Sequence, residues 1–175
     1  MITLIFGPMF SGKTTYLLSY ERRFLLAKKQ VLIIKWSNDN RYSENNIVTH
    51  DGQTNSCQVL NVNVLMEIPT ETLEKFDCVL IDEGQFFPDL REFCMQYTTT
   101  KHIVIAGLSG DYKQQCFESI ASVISIADQI QHVKSICSQC GNDAPFTSRL
   151  TSETEQTVIG SSDKYQPRCR KCLCL

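Results

Sequence analysis

The chain has 175 residues, 42% hydrophobic and 21% charged, a balance that predicts a folded core and excludes a disordered chain. Its net charge of −2 argues against a nonspecific duplex-binding surface. No apolar run approaches the ~18 residues of a membrane span, and the start lacks the charged prelude of a signal peptide, so a cytoplasmic protein is expected.

Ile2–Phe6 is a short apolar run ending at Gly7, the pattern of a buried strand. Thr14–Ala27 reads as a helix: Leu17, Tyr20 and Phe24 recur on one face with Leu18 and Leu25 beside them, and Glu21, Arg22 and Arg23 form the wet face. Val31–Lys35 is a second buried strand. Residues 36–56 are polar and rich in Asn, Ser and Asp, a long surface loop of the kind that is uncommon unless functional. Val64–Phe76 reads as loop and helix interrupted by Pro69. Cys78–Ile81 is a third strand ending at Asp82-Glu83-Gly84, Asp89–Tyr97 a helix, and Ile103–Ala106 a fourth strand. Phe117–Asp128 has a helical period, and His132–Ile136 alternates weakly as a fifth strand. Short apolar strands alternating with amphipathic helices predict an α/β fold: a parallel sheet with right-handed crossovers and helices on both faces.

The composition changes at Cys137. Residues 137–175 hold five of the nine cysteines and no long apolar run. The expected division is an α/β domain over 1–136 and a small unit over 137–175 that needs a staple to fold. Within the latter, Phe146–Leu150 and Gln156–Gly160 are predicted to pair as a hairpin.

Gly7-Pro8-Met9-Phe10-Ser11-Gly12-Lys13-Thr14 fits G-x-x-x-x-G-K-[ST], with a buried strand before it and a helix after it. The glycines let the backbone curl so that its N–H groups face a phosphate chain, and the helix aims its positive end at the same place. Lys13 brings a charge to the β- and γ-phosphates of ATP, and the Thr14 hydroxyl can ligate Mg²⁺. Asp82 ends a strand of the same sheet, where an acidic residue holds Mg²⁺ directly or through water. Gly84 lets the chain turn sharply, so that Glu83 can face the space before the γ-phosphate and deprotonate a nucleophile. Taken alone, the Asp-Glu pair favours reading Glu83 as a solvated strand-end charge; its place after a phosphate loop favours the catalytic reading.

Cys137-x-x-Cys140 and Cys169-x-x-Cys172 are two pairs of thiols with 28 residues between them. Four thiolates around structural Zn²⁺ would staple the small unit, leaving the intervening chain as a loop pinned at its base. Two disulfides or unconnected thiols are the alternatives, and Cys174 lies close enough to Cys172 to substitute for it. Cys57, Cys78, Cys94 and Cys116 read as buried or free thiols.

GPMFSGKTT, KWSNDNRYS, THD, IDEGQFFPDLREFC, C-x-x-C, VIG, DKY and CRKC, in this order, closely resemble the thymidine kinases of the zinc-containing type, found in animals, bacteria and poxviruses. The likeness covers nearly the whole chain. It implies a P-loop domain, a small zinc domain with a lasso-like loop, and a homotetramer. It also implies transfer of the ATP γ-phosphate to the 5′-hydroxyl of thymidine or deoxyuridine, a step of nucleotide salvage, with feedback by thymidine triphosphate (dTTP).

Residue by residue, the resemblance implies Glu83 as general base, Lys13 and Thr14 as phosphate and Mg²⁺ contacts, and Asp82 as a second-sphere magnesium residue. Asp39 and Arg41 match the pair near the reacting hydroxyl and phosphate, where Arg41 would stabilise charge. Gln156, Thr157, Val158, Ile159 and Gly160 would supply main-chain hydrogen bonds to the base, and Tyr165 would close over it. Met9, Phe86, Leu108, Tyr112, Phe117 and Thr147 match other pocket positions, although Phe86, Leu108 and Phe117 by themselves read as core packing. Ser109, Tyr112 and Cys116 stand where Asp, Phe and Pro are usual. The second functional reading is a nucleic-acid-dependent ATPase with a zinc ribbon as its binding module. Residues 1–136 permit it, but no clustered basic stripe supports it.

Overall fold

The apolar runs of the sequence become the inner strands of one sheet. The computed structural model describes residues 1–37 and 56–173. In chain order the elements are β1 (Ile2–Gly7), α1 (Lys13–Leu26), β2 (Val31–Trp36), β3 (Gln58–Val62), α2 (Thr70–Leu73), β4 (Cys78–Ile81), α3 (Leu90–Tyr97) and β5 (His102–Leu108). They continue with α4 (Glu118–Ile124), β6 (Gln129–His132), β7 (Ser135–Ile136), β8 (Asp143–Ala144), β9 (Phe146–Arg149), β10 (Tyr165–Arg168) and α5 (Arg170–Leu173). Six strands form the main sheet in the order β3-β2-β4-β5-β1-β6, every neighbouring pair parallel.

Alternate residues of each inner strand divide between two cores, as the period of two requires. Ile2 and Leu4, Leu32 and Ile34, Val79 and Ile81, and Ile103 and Ile105 face α3 and α4 through Leu90, Phe93, Ile120 and Val123. Ile5, Val31, Ile33, Cys78, Leu80, Val104 and Ala106 face α1 through Leu17, Leu18 and Tyr20. Helices therefore cover both faces, which is why these strands read as unbroken apolar runs.

Several boundaries differ from expectation. The strand expected over His132–Ile136 is split: Gln129–His132 joins β1 as β6, and Ser135–Ile136 pairs instead with Asp143–Ala144. The hairpin partner of β9 is β10, not Gln156–Gly160; Tyr165 pairs with Arg149 and Arg168 with Phe146. β3 had no counterpart in the sequence reading, because QVLNV is a half-exposed edge strand. Glu21, expected on the wet face of α1, is 2% exposed. Its Oε1 accepts from the Ser56 and Cys57 amides at 2.8 and 3.0 Å, anchoring the approach to β3. The polar loop with Asp39 and Arg41, and Cys174, lie outside the described residues.

Candidate active site and cysteine cluster

The phosphate-binding loop leaves β1 at Gly7 and enters α1 at Lys13. Phe10 and Gly12 take left-handed backbone, with φ of 63° and 76°. Gly7 does not; it is there for close approach, since a Cβ would lie 2.3 Å from the Val133 carbonyl oxygen. Ser11 Oγ and Lys13 Nζ both donate to the Pro8 carbonyl, at 2.8 and 2.6 Å, drawing the loop around itself. The first turn of the 14-residue α1 carries no acidic side chain, so its positive end stays available to an anion.

The carboxylate pair follows β4, two places from β1 in the sheet order. Asp82 continues the strand, its N–H donating to Ile34 O at 3.0 Å, and is 7% exposed. The sharp turn is made by Glu83 itself, with φ 52° and ψ 46°, and not by Gly84 as expected. A left-handed residue with a side chain costs roughly 1–2 kcal/mol, so surrounding contacts must hold it. Gly84 meets a packing demand: a Cβ there would lie 2.7 Å from Ile105 Cγ2.

Those contacts run through Gln85. Its Nε2 donates to Glu83 Oε2 at 2.6 Å, and its Oε1 accepts from the Leu108 amide at 3.0 Å. The next amide, Ser109 N–H, donates to Gly7 O at 3.0 Å. Glu83 and the start of the phosphate loop are thus joined through the end of β5. Beside them, Phe86 stacks on Trp36 with ring centroids 4.3 Å apart.

The thiols of Cys137, Cys140, Cys169 and Cys172 lie within 4.8 Å of one another, with Cys140 Sγ and Cys169 Sγ 3.5 Å apart. Tetrahedral Zn²⁺ with sulfur ligands at ~2.3 Å needs sulfurs roughly 3.8 Å apart, so the set fits a four-cysteine metal site. No described cysteine is in a disulfide. Burial pushes the Cys137 thiol up, but hydrogen bonding with the backbone of Cys169, Gln139 and Cys140 outweighs it and brings the thiol down to about 6. Cys57 and Cys94 are pushed up to about 12, chiefly by burial, and burial together with the neighbouring cluster thiols also raises Cys172.

The chain between β9 and β10 carries the segment expected to meet the base. Gln156, Thr157 and Ile159 are exposed, and Val158 and Gly160 half-buried. Tyr165 is 7% exposed, and its hydroxyl donates to Val158 O at 2.7 Å. Thr147 is buried in β9, its Oγ1 accepting the Met9 amide at 3.0 Å. That bond ties the phosphate loop to the cysteine-bearing segment. Leu108 and Phe117 pack on the α3/α4 core, as their apolar character alone suggested. Phe117 nonetheless stands at the N-cap of α4, on the same connection as Tyr112.

A family model described as "Thymidine kinase" matches residues 1–173. The chain belongs to the thymidine kinase family. The thymidine kinase of Monkeypox virus is 40% identical over 172 residues, which are 98% of this chain and 95% of that one. That of Vaccinia virus (strain Western Reserve) is also 40% identical over 172 residues, with the same coverage. The cytosolic thymidine kinase of Gallus gallus is 39% identical over 172 residues, 98% of this chain and 75% of that one. Among solved structures, domain III of the Thermotoga maritima replication initiation protein DnaA matches with a TM-score of 0.44 and 17% identity, covering 76% of this chain and 54% of that one.

Two residues of this thymidine kinase family member escaped the sequence reading. Gln85 lies inside the IDEGQFF block, and its glutamine-two-after-glutamate spacing was the available signal. Arg149 carried no local signal at all. It sits between Ser148 and Leu150 as an ordinary strand-end cation; its carbonyl partners lie four to seven residues on in an irregular loop, and its aromatic partners, Tyr112 and Tyr165, lie farther away in the sequence. No helix among the described residues is long and apolar enough to cross a membrane.

Proposed function

We propose that this chain transfers the γ-phosphate of ATP to the 5′-hydroxyl of thymidine, with Glu83 as the general base. One set of contacts carries the proposal: the Glu83 carboxylate is locked through Gln85 to the end of β5, and β5 is bonded in turn to Gly7 of the phosphate loop. A base held in register with the phosphates is what an in-line transfer requires, because catalysis here is mostly positioning and charge stabilisation.

In the proposed reaction the 5′-hydroxyl gives its proton to Glu83 as its oxygen attacks the terminal phosphorus, while the bond from that phosphorus to the β–γ bridging oxygen breaks and ADP leaves. Lys13 leaves the Pro8 carbonyl and moves onto the phosphate oxygens. Met9, Phe86, Leu108, Tyr112, Phe117 and Thr147 would surround the nucleoside, with segment 156–160 and Tyr165 above it. Arg41 and Asp39 would complete the charge arrangement. The Thr14 hydroxyl and Asp82 carboxylate are hard oxygen donors that suit Mg²⁺, which when bound neutralises phosphate charge. The four thiols would hold structural zinc and make residues 137–175 a separate zinc-bearing domain beside 1–136. A homotetramer and feedback by dTTP belong to the same proposal and are tested by sedimentation and by inhibition at saturating triphosphate.

The deciding assay mixes protein, MgATP and labelled thymidine. Thymidylate from wild type, and its loss in Glu83→Gln, supports the proposal. ATP hydrolysis stimulated by DNA or RNA, without thymidylate, would favour the nucleic-acid-dependent ATPase instead.

A further inference from the structure

The stretch between β9 and β10, residues 150–164, has no regular structure, so its backbone carbonyls need partners from elsewhere. Arg149 supplies partners for three of them, at Glu153, Glu155 and Gln156. It is the last residue of β9, opposite Tyr165, so its side chain starts at the point where the loop both leaves and returns. Its Nη1 donates to Glu153 O at 2.9 Å and Glu155 O at 2.6 Å. Its Nη2 donates to Gln156 O at 3.2 Å and to the Tyr165 hydroxyl at 2.8 Å. That hydroxyl donates its own hydrogen bond to Val158 O at 2.7 Å. The guanidinium also lies 3.9 Å from the centre of the Tyr112 ring and 5.2 Å from that of Tyr165. Tyr112 lies in a different segment, after β5, and its hydroxyl donates to Thr154 O at 3.1 Å.

We infer that Arg149, stacked on Tyr112, is the positioning residue that clamps loop 150–164 in the shape seen here and thereby sets affinity for the nucleoside. The affinity clause rests on the proposed nucleoside site; the clamp itself does not. Only a planar guanidinium can present forked donors to three carbonyls and a hydroxyl while its face lies on a ring. Lysine cannot reproduce that set. Tyr112 adds a second attachment through its hydroxyl. One face of its ring is taken by Arg149.

The test compares wild type with Arg149→Lys, Arg149→Ala and Tyr112→Phe, after thermal midpoints confirm folding. Cleavage by a glutamate-specific protease at Glu153 and Glu155 reports the clamp without needing any activity. Cleavage should be slow in wild type, fast in both Arg149 variants and intermediate in Tyr112→Phe. In the Arg149 variants the KM for thymidine should rise roughly 10- to 100-fold, the size of lost charge-assisted hydrogen bonds, with the KM for ATP little changed and a smaller effect on kcat. Tyr112→Phe should raise the thymidine KM only about two- to fivefold. Unchanged cleavage in Arg149→Ala overturns the clamp. Faster cleavage with an unchanged thymidine KM, or a uniform loss of kcat for both substrates, overturns its role in affinity. If wild type makes no thymidylate, the proposed function fails, and with it the affinity role; cleavage still decides the clamp.

Discussion

The Gln85 side-chain amide donates to Glu83 Oε2 at 2.6 Å while its carbonyl oxygen accepts the Leu108 amide at 3.0 Å. One planar group therefore measures the distance from the carboxylate to the end of β5. Ser119 Oγ donates to the main-chain carbonyl of Gln85 at 3.0 Å and steadies the residue from α4. With its carboxylate held by Gln85, the left-handed Glu83 has little freedom to turn.

Replacing Gln85 by Leu should release Glu83 without removing it. The expected result is a loss in kcat of roughly 10- to 100-fold, smaller than the loss from removing a general base, with the KM for ATP little changed. Glu at this position should be worse than Leu, because it sets a second carboxylate against Glu83. Steady-state kinetics of the two variants checks the order.

Gly84→Ala tests the close contact behind the same turn. The new Cβ would lie 2.7 Å from Ile105 Cγ2, inside the core beneath α4. Overpacking of this kind costs about 1–3 kcal/mol. The thermal midpoint should fall by several degrees, and kcat should fall with it because Glu83 is displaced. An unchanged midpoint would show that the backbone here yields freely.

The cysteine cluster should hold about one zinc per chain, the occupancy of a closed four-thiolate site. Cys169→Ser should lower the metal content measured by elemental analysis, and a strong chelator should lower the thermal midpoint of wild type. Cys57→Ser should leave metal content unchanged, since its thiol belongs to the edge of the α1 core. Equal zinc in Cys169→Ser and wild type would reject the ligand set.

The Lys164 ammonium hydrogen-bonds Glu153 at 2.8 Å and holds its carboxyl down from the ordinary 4.5 to about 2. The folded value is the lower one, so whatever stability the pair contributes is present above about pH 4.5 and is lost as pH falls through 2. Carboxyl ¹³C titration should show Glu153 ionised well below pH 4. A midpoint near 4.5 would mean that the pair does not form in solution.

The inner sheet and the chemistry-bearing ends of its strands were legible in the sequence. Ile2–Phe6, Val31–Lys35, Cys78–Ile81 and Ile103–Ala106 are apolar on both faces because helices cover both. The placing of Gly7–Thr14 between strand and helix and of Asp82-Glu83 at a strand end was readable because both depend on neighbours in the chain. The edges were harder. β3 and β6, as QVLNV and QIQH, mix polar with apolar residues, since each borders only one strand. β10 contains Pro167, which a two-stranded ribbon tolerates and which hides the strand from a reading of pattern. Arg149 could not be found at all, because its importance lies in what a loop of another shape brings to it. Even the turn at Glu83 was assigned to the wrong residue, since glycine ordinarily takes left-handed backbone and here the glutamate does.

The most direct measurement is a rapid-mixing assay of thymidylate formation by wild type and Glu83→Gln at saturating MgATP, across pH. The amide is isosteric, so binding of both substrates should survive while the chemical step slows by roughly 10²–10⁴-fold. Phosphoryl transfer at the wild-type rate in Glu83→Gln would contradict the assignment of the base.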